Sequence, residues 1–362
     1  MEEETEQRKR QRPDKPTVED LLKKARETWG RSPDKSQSTM VEDRSFRKFF
    51  GCGALVALQV WSLLFTTGTI PLGGTLMHLL WTLLLLKVYP KSAVLARLCG
   101  ADAKTIRKYV WGEIDASAIG FIEAIANLEP LVVSKTVVAS VAALIYIVSH
   151  SFQIIWENRL KKDKGNDCLV SVDGTDFRIP NHGKQFSSHK CKKKSALRCE
   201  VGLCTLAGDI VWVNGPCECG MWPDMSIFRN CLMSHLAPNE RVEVDDGYIG
   251  EAPAKCKCPK CFTNEQHKEC MQQRVRNRQE TVNKRFKDWD ILKTNDYRHD
   301  ITAHGEVFRA IAIIAQLSIN NGEQLFDTHY DDNPPWDKEE DDDDYDPNQE
   351  DDEEGSMLSD GM

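Results

Sequence analysis

The first strong pattern along the chain is helical and lies within residues 46–130. Two apolar runs, SFRKFFGCGALVALQVWSLLF and GGTLMHLLWTLLLLKVYP, are rich in Leu, Trp and Phe and contain no internal proline. Pro71, Gly73 and Gly74 separate them, and neither run reaches the ~18–20 uncharged residues of a membrane span. Each run therefore predicts a buried core helix.

A shorter helix with a basic face is predicted at Ala101–Trp111. Gly100 marks a turn, Asp102 is suited to cap the helix, and Ile106 and Val110 fall on its buried side. The basic residues share another face: Lys104, Arg107 and Lys108. A turn followed by a basic helix is what a helix-turn-helix uses in the major groove of DNA. An ordinary helix with a solvated basic face has the same pattern.

Residues 131–153 form an apolar insert, LVVSKTVVASVAALIYIVSHSFQ, whose status the sequence leaves open. Lys135 interrupts it, and 14 uncharged residues follow before His150, which is short for a membrane span. One interpretation is a buried helix. A second is a retained in-frame intron at 133–153, because splice consensus sequences would encode Val133-Ser134-Lys135 at its start and Phe152-Gln153 at its end. A third, a membrane anchor at 131–149, is the least favoured.

From residue 154 the pattern alternates between strands and helices, which predicts an α/β domain. The predicted strands are Cys168–Ile179 with its exit, Leu197–Ala207, Asp209–Gly215 and Arg241–Asp245. The predicted helices are Asp224–His235, Lys268–Leu292 and His304–Asn321.

Two predicted strands end alike, in VSVDGT and VEVDDGY. Alternating β-branched residues bury one face, so Asp173 and Asp245 fall on the other face at the strand end, where glycine permits a sharp exit. Carboxylates at neighbouring strand ends can share the divalent cations, Mg²⁺ or Mn²⁺, that phosphoryl transfer requires. The alternative candidates for these two metal ligands are Asp176 and Asp246. Asp176 lies past the glycine, and Asp245, unlike Asp246, directly follows the Val-x-Val strand.

A third carboxylate is expected from the long helix. Glu280 lies off the apolar stripe of this helix, and Arg276, Lys284 and Lys287 fall on its own side. An acid flanked by bases can bind a metal ion while its neighbours contact phosphates. A surface i,i+4 ion pair would have the same pattern.

The uneven distribution of charge along the chain bears on whether nucleic acid is a partner. The net charge is −9, but residues 331–362 carry 16 acidic residues against Lys338 alone. The remaining 46 basic and 40 acidic residues give 1–330 a charge of +6. The basic residues beside the carboxylates predict a DNA-binding face, with ordinary solubility charge as the alternative. Its members fall in two clusters: Lys184, Lys190, Lys192, Lys193, Lys194 and Arg198 in the first, and Arg276, Lys284, Arg285 and Lys287, within residues 255–287, in the second. We expect the acidic tail to be disordered and to compete with DNA for this face.

The 13 cysteines and an N-terminus without an apolar targeting segment predict reduced thiols in the nucleus or cytoplasm. The basic run at residues 8–12 is suited to nuclear import, or is simply solvated. Candidate ligands for a structural zinc ion are Cys256, Cys258, Cys261 and Cys270, with His267 nearby. The single residue between the first two cysteines is a tighter spacing than a usual zinc knuckle, so free thiols in a lysine-rich loop are the alternative.

Five segments, in this order along the chain, resemble the catalytic blocks of DDE-superfamily transposases, above all the Harbinger-like endonucleases of unicellular algae and fungi. They are VSVDGTDFRI, CECGMWPDMSIFRNCL, VEVDDGYIG, RVRNRQETVNKRFKDWDIL and RHDITAHGEVFRAIAIIAQLSINNGEQLFD. The resemblance is strong over 155–330 and looser over 46–115. It implies a ribonuclease H-like fold after a helical region, and an Asp-Asp-Glu metal site of Asp173, Asp245 and Glu280. Asp224 lies in one block with its role open.

The resemblance implies a nuclear enzyme that cuts DNA at transposon ends and joins the freed 3′ hydroxyl to target DNA. Harbinger-like elements usually require a second, DNA-binding protein, and the sequence leaves open whether this chain needs one and whether it forms a homo-oligomer. The alternative is a domesticated or decayed derivative that binds DNA or a partner without cutting. The predicted domains are a disordered polar tail with one short helix (1–45), a helical region (46–130), the insert (131–153), the catalytic domain (154–330) and a disordered acidic tail (331–362).

Overall fold

The computed structural model describes residues 16–29, 39–112, 119–128, 154–162, 165, 168–259, 266–293 and 297–328, with the backbone alone at 29, 39 and 266–272. The predictions for the insert at 131–153 and the acidic tail at 331–362 fall outside the described residues.

The N-terminal part of the described chain is helical. Its helices are α1 (Val18–Trp29), α2 (Thr39–Phe50), α3 (Ala54–Thr67), α4 (Leu76–Val88), α5 (Ser92–Cys99), α6 (Ala103–Trp111) and α7 (Phe121–Ala126). The first is the short helix expected within the polar tail. Its residues Leu21, Leu22 and Ala25 are buried, so this part of the tail is packed and not disordered.

The first apolar run is divided, contrary to the single helix that its pattern predicts. Helix α2 ends at Phe50 and α3 begins at Ala54, because Gly51 adopts a left-handed φ of 79°. The indole of Trp289 lies where a side chain on Gly51 would stand: a Cβ there would be 2.4 Å from the ring. A residue distant in sequence therefore fixes this break.

Helices α5 and α6 form the predicted turn and helix. Gly100 ends α5 with a left-handed φ of 62°, and the Asp102 carboxylate accepts two backbone N–H groups of the first turn of α6. Ile106 and Val110 are buried. The predicted turn, cap and buried side are confirmed.

The C-terminal part contains a six-stranded mixed sheet. Its strands are β1 (Cys168–Arg178), β2 (Ser187–Ser188), β3 (Lys194–Cys204), β4 (Ile210–Glu218), β5 (Arg241–Glu243) and β6 (Cys256–Lys257). The order is β2-β3-β1-β5-β6, and β4 also pairs with β3. β1 runs antiparallel to β3 and parallel to β5. The predicted strands are confirmed to within a few residues at their ends.

Helices cover both faces of this sheet. They are α8 (Asp224–Asn230), α9 (Gln266–Lys287), α10 (Asp290–Lys293) and α11 (His304–Asn320). On one face, Val170 and Val172 of β1 cluster with Phe228 of α8. On the other, Phe177 of β1 packs against Phe308 of α11 with ring centroids 5.4 Å apart. Successive residues of β1 therefore face different helical layers.

Two predicted helices are shorter than expected. The helix predicted at Asp224–His235 ends at Asn230, because Cys231 leaves helical geometry with φ −123° and ψ −78°, and a 3₁₀ turn follows. The long helix likewise ends at Lys287, and α10 begins after a turn at Asp288 and Trp289. Further 3₁₀ turns lie at Trp156–Leu160, Lys184–Phe186, Asp246–Glu251 and Ile301–Ala303.

One apolar core joins the N-terminal helices to the α9 and α11 face of the sheet. It includes Leu79 of α4, Phe286 of α9 and Ile311 of α11. The chain is thus a mixed α/β protein with a mostly helical N-terminal part, which confirms the coarse fold class. No single helix in the described ranges has the length and apolar character to cross a membrane, whereas the bent pair Met40–Phe50 and Ala54–Thr67 meets that test jointly.

Candidate metal and nucleic-acid site

The predicted aspartates Asp173 and Asp245 lie side by side. The last residues that pair β1 with β5 are Ser171 and Glu243, and the two aspartates come two positions later on their respective chains. The expectation that glycine ends both strands is wrong for β1, because β3 continues to pair with it as far as Arg178. It is β5 that ends, so Asp173 lies in mid-strand beside an open edge.

Asp173 is half-buried and only partly satisfied. The Asn283 amide donates to its Oδ2 at 2.8 Å, and the Lys190 ammonium lies 3.5 Å from its Oδ1. Burial raises the pKa of Asp173, and the carboxylates of Asp245 and Asp224 raise it further, whereas Lys190 opposes them. The site therefore concentrates negative charge that one lysine incompletely offsets.

Asp224, whose role the sequence leaves open, belongs to this cluster. Its Oδ2 lies 3.6 Å from the Lys190 ammonium and its Oδ1 lies 3.2 Å from Nε of Arg198. Gly174 makes the approach possible, because a Cβ there would lie 2.1 Å from Oδ1 of Asp224. Burial raises the pKa of Asp224, while Lys190 and Arg198 oppose the shift.

The rival Asp176 has a structural role. Arg198 donates to both of its carboxylate oxygens, at 2.7 and 2.9 Å, and Ser188 donates to Oδ2 at 2.5 Å. Burial would raise the pKa of Asp176, but these hydrogen bonds outweigh it and lower the pKa. With both oxygens engaged, Asp176 has little capacity left for a ligand.

The loop that carries Lys190 is anchored to the same buried pair. Ser188 bonds to Asp176, and its hydroxyl also accepts the backbone N–H of Cys191 at 3.0 Å. Lys192 and Lys193 both adopt left-handed φ values, 53° and 61°, which non-glycine residues rarely do. This turn holds the Lys190 ammonium against the main-chain oxygen of Gly174 at 2.8 Å.

Glu280 and the basic residues of α9 border the same cleft. Asp173, Glu280, Asn283, Lys284 and Lys287 line a space of about 360 Å³. Glu280 is exposed, one helical turn before Asn283. In the part of the chain that is described, no three acidic, His or Cys side chains are close enough together to hold a metal ion. Of the three predicted acids, Asp173 and Glu280 line this cleft and Asp245 lies beside Asp173, but the three do not form a ready-made metal cluster.

The oxygen donors nevertheless suit a cation. The Lys190 ammonium already lies among one carbonyl and two carboxylate oxygens at 2.8, 3.5 and 3.6 Å. Oxygen atoms are the ligands that Mg²⁺ prefers, at about 2.0–2.1 Å. The residues present therefore fit a hard divalent ion, provided that the carboxylates draw closer than they stand around the lysine.

Glu200 and Tyr248 lie behind the cluster. Glu200 pairs in register with Gly174, accepts from the Trp212 indole at 2.9 Å, and is 1 % exposed. Burial raises its pKa to about 8. Among the described residues, Oε1 of Glu200 and the Tyr248 hydroxyl have no hydrogen-bond partner. The cluster thus has a buried polar rear wall.

The other predicted DNA contacts fall on separate surfaces. Lys193 and Lys194 border a second, basic cleft of about 630 Å³ together with Arg178 and Lys184, and Lys192 is exposed beside it. Arg276 is half-buried. Arg285 donates to the main-chain oxygen of Glu323 at 2.7 Å, which fixes it to the chain after α11. The basic residues of α6 are exposed: Lys104, Arg107 and Lys108.

The predicted zinc ligands are only partly described. Cys256 and Cys258 are buried on and beside β6, Cys261 lies outside the described residues, and the side chain of Cys270 is not described. The zinc site therefore stays a prediction.

Sequence reasoning missed two groups at the site, Asn283 and Glu200. It placed Lys190 only in a basic cluster that flanks the site, and it left Asp224 without a role. One signal was available for Asn283, which lies three residues after Glu280 on α9 and hence on the same face. Comparison of the chain with protein-family models, with curated proteins and with solved structures finds no match.

Proposed function

We propose that the protein is a metal-dependent DNA endonuclease and strand transferase of the DDE superfamily, with a ribonuclease H-like catalytic region. The observation that carries the proposal is the juxtaposition of Asp173 and Asp245 beside a cleft that Glu280 lines with two lysines. Carboxylates next to basic residues on one open surface suit a phosphodiester better than a small neutral substrate.

Each side chain has a definite task in this proposal. Asp173, Asp245 and Glu280 supply oxygen ligands for Mg²⁺ or Mn²⁺. When bound, the ions would act as Lewis acids on the phosphodiester and promote ionisation of the attacking water. Asn283 fixes the orientation of Asp173 through its 2.8 Å hydrogen bond. Lys284 and Lys287, both exposed at the cleft, hold the DNA backbone in position.

The DNA would extend beyond this cleft. The basic cleft around Lys193 and Lys194 and the exposed face of α6 offer further phosphate contacts. A nuclear location, an accessory DNA-binding protein and assembly with further copies of the chain belong to the same proposal. The freed 3′ hydroxyl would attack target DNA in the same cleft after the first cut.

A non-cleaving derivative is the second candidate. The observation that favours it is the Lys190 ammonium lying between Asp173 and Asp224, in a described region without a metal-holding cluster. Such a protein would bind DNA through its basic surfaces without cutting it.

A nicking assay separates the two candidates. The full chain is incubated with supercoiled plasmid and with duplexes from the genomic flanks of its gene, with Mg²⁺ or with EDTA. We expect Mg²⁺-dependent cleavage that falls at least about 100-fold in Asp173→Asn and Glu280→Gln. Asp288→Asn is the matched control, because Asp288 is an exposed acid just after α9 and outside the cleft.

The outcomes are distinct. Full cleavage by Asp173→Asn would refute the site. DNA binding by the wild-type chain without cleavage under any divalent ion would favour the non-cleaving derivative.

A further inference from the structure

The Lys190 side chain is held as a cation among oxygen atoms. Its ammonium donates to the Gly174 carbonyl oxygen at 2.8 Å and lies 3.5 Å from Asp173 and 3.6 Å from Asp224. A lysine ammonium is ordinarily charged at neutral pH, so Lys190 offsets part of the negative charge of the two carboxylates.

The chain is shaped to bring Asp224 to this point. Asp224 approaches β1 only because Gly174 has no side chain. Its Oδ1 is buried and accepts no hydrogen bond from the described residues, although Nε of Arg198 lies 3.2 Å away as an ion-pair partner. Its Oδ2 faces Lys190 at 3.6 Å. One carboxylate oxygen is thus directed at the same cation as Asp173.

A second and independent observation points to a polar ligand at this place. Glu200 lies opposite Gly174 on β3, and paired residues of neighbouring strands project to the same face, so its side chain stands beside Asp224. It is 1 % exposed, and its Oε1 has no hydrogen-bond partner among the described residues. A buried carboxyl oxygen without a partner is costly unless a water, such as one bound to an ion, engages it.

We propose that Asp173, Asp224 and the Gly174 carbonyl form a divalent-cation site that the Lys190 ammonium fills when no ion is bound. The proposal adds Asp224 to the ligands and rests on the carboxylate site of the proposed function. No covalent bond is made or broken: the ion takes over the oxygen contacts that the Lys190 ammonium gives up as it withdraws. The Lys190 side chain is 41 % exposed, so it can leave without rearranging β1.

Displacement would turn Lys190 toward the substrate. The loop that carries it is fixed through Ser188, and Lys190 itself borders the cleft that Lys284 and Lys287 line. Once it leaves the carboxylates, its ammonium stays within that cleft. Binding of the ion would thereby add one more positive charge for a phosphate at the moment when the site is loaded.

The first test measures Mn²⁺ binding to the full chain. Electron paramagnetic resonance gives the concentration of the unbound ion at each step of a titration. At the highest-affinity Mn²⁺ site, Lys190→Ala should bind about tenfold more strongly than wild type, because the lysine ammonium no longer competes with the ion. Lys192→Ala is the matched control, since it removes the same charge from the same loop without touching the cluster. Asp224→Asn should bind about tenfold more weakly than wild type. The weak sites of the acidic tail are common to all variants.

The second test uses the unaltered chain. Brief acetylation with acetic anhydride, read by mass spectrometry, should modify Lys190 slowly without Mn²⁺ and faster with it, whereas Lys192 should react equally in both conditions. Equal Mn²⁺ affinity of Lys190→Ala and Lys192→Ala, wild-type affinity of Asp224→Asn, or a Lys190 reactivity indifferent to Mn²⁺ would overturn the proposal. Neither readout requires DNA cleavage, so an inactive chain can still confirm the cation site.

Discussion

Asp173 and Asp176 lie three positions apart on one strand and have opposite environments. Arg198 and Ser188 engage both oxygens of Asp176, and its pKa is lowered. Asp173 has one amide donor and a lysine at 3.5 Å, and its pKa is raised. A carboxylate whose hydrogen bonds are complete stabilises the fold. One whose charge is incompletely offset is suited to a ligand.

The largest expected effect comes from substituting Arg198, the partner of Asp176. Arg198→Met leaves Asp176 buried with its charge uncompensated, and we expect a loss of about 3–5 kcal/mol in the free energy of unfolding. Asp173→Asn should change it by less than about 1 kcal/mol. Urea unfolding measures both.

Arg229→Met is the control for this prediction, because the Arg229–Glu251 pair is of the same kind but more exposed. It should cost no more than about 1 kcal/mol. Equal losses for Arg198→Met and Asp173→Asn would contradict the division of roles.

Glu200 should make the stability of the chain depend on pH. Its pKa is raised from 4.5 to about 8, so the folded chain retains a proton that the unfolded chain releases. This contribution to stability is complete below about pH 4.5 and is lost as pH rises towards 8. Between these limits wild type should lose up to about 4 kcal/mol relative to Glu200→Gln.

Urea unfolding of both proteins at pH 5 and pH 8 measures the difference. Parallel pH profiles for wild type and Glu200→Gln would show that the folded chain does not hold this proton.

Gly174 links the two environments, because it lies between the aspartates and admits Asp224. Gly174→Ala would drive a Cβ to 2.1 Å from the Asp224 carboxylate. We expect a loss of about 1–3 kcal/mol in the free energy of unfolding, together with weaker Mn²⁺ binding. Thermal unfolding and Mn²⁺ titration measure the two effects.

The control is Gly250→Ala, whose Cβ would meet only the ends of two flexible side chains, Arg229 at 3.2 Å and Met225 at 3.3 Å. Unchanged Mn²⁺ affinity in Gly174→Ala would remove Asp224 from the site.

The smallest effect on stability is expected from the lysines at the cleft. The double variant Lys284→Ala/Lys287→Ala should unfold within about 0.5 kcal/mol of wild type, because both side chains are exposed. DNA affinity should fall, and the slope of its logarithm against the logarithm of salt concentration should decrease by about 2.

Fluorescence anisotropy with a labelled duplex across a salt series measures this slope. Lys23→Ala/Lys293→Ala, which removes two exposed lysines outside the cleft, should leave it unchanged. Equal slopes in the two double variants would count against the cleft as a DNA contact.

Local pattern was sufficient where neighbours in sequence decide the structure. The cap at Asp102, the turn at Gly100 and the alternation of β1 follow from short-range chemistry. The closeness of Asp173 to Asp245 followed from two strands with similar ends. Fold class at the level of a mixed α/β chain was predictable for the same reason.

The remaining features depend on contacts between distant segments. The break between α2 and α3 requires Trp289, and the place of Lys190 requires a loop fixed by Ser188 on Asp176. In the sequence Asp224 is an ordinary residue at the start of a helix, and it joins the site only because it packs against Gly174 of β1. The sequence pattern does not show these contacts between distant segments, so the acids of the site were predicted, whereas Lys190 was predicted only as part of a flanking basic cluster.

The apolar core shared by the N-terminal helices and α11 has a consequence for synthesis of the chain. Leu64 and Leu84, fully or almost fully buried in the folded protein, share this core with Phe308 and Ile314 of α11. The ribosome makes α3 roughly 250 residues before the end of α11, an interval of about 13–50 s at bacterial and eukaryotic elongation rates. During that time the leucine-rich surfaces of α3 and α4 are exposed, because α11 has not yet been made. We therefore expect nascent chains to depend on chaperones that shield apolar helices.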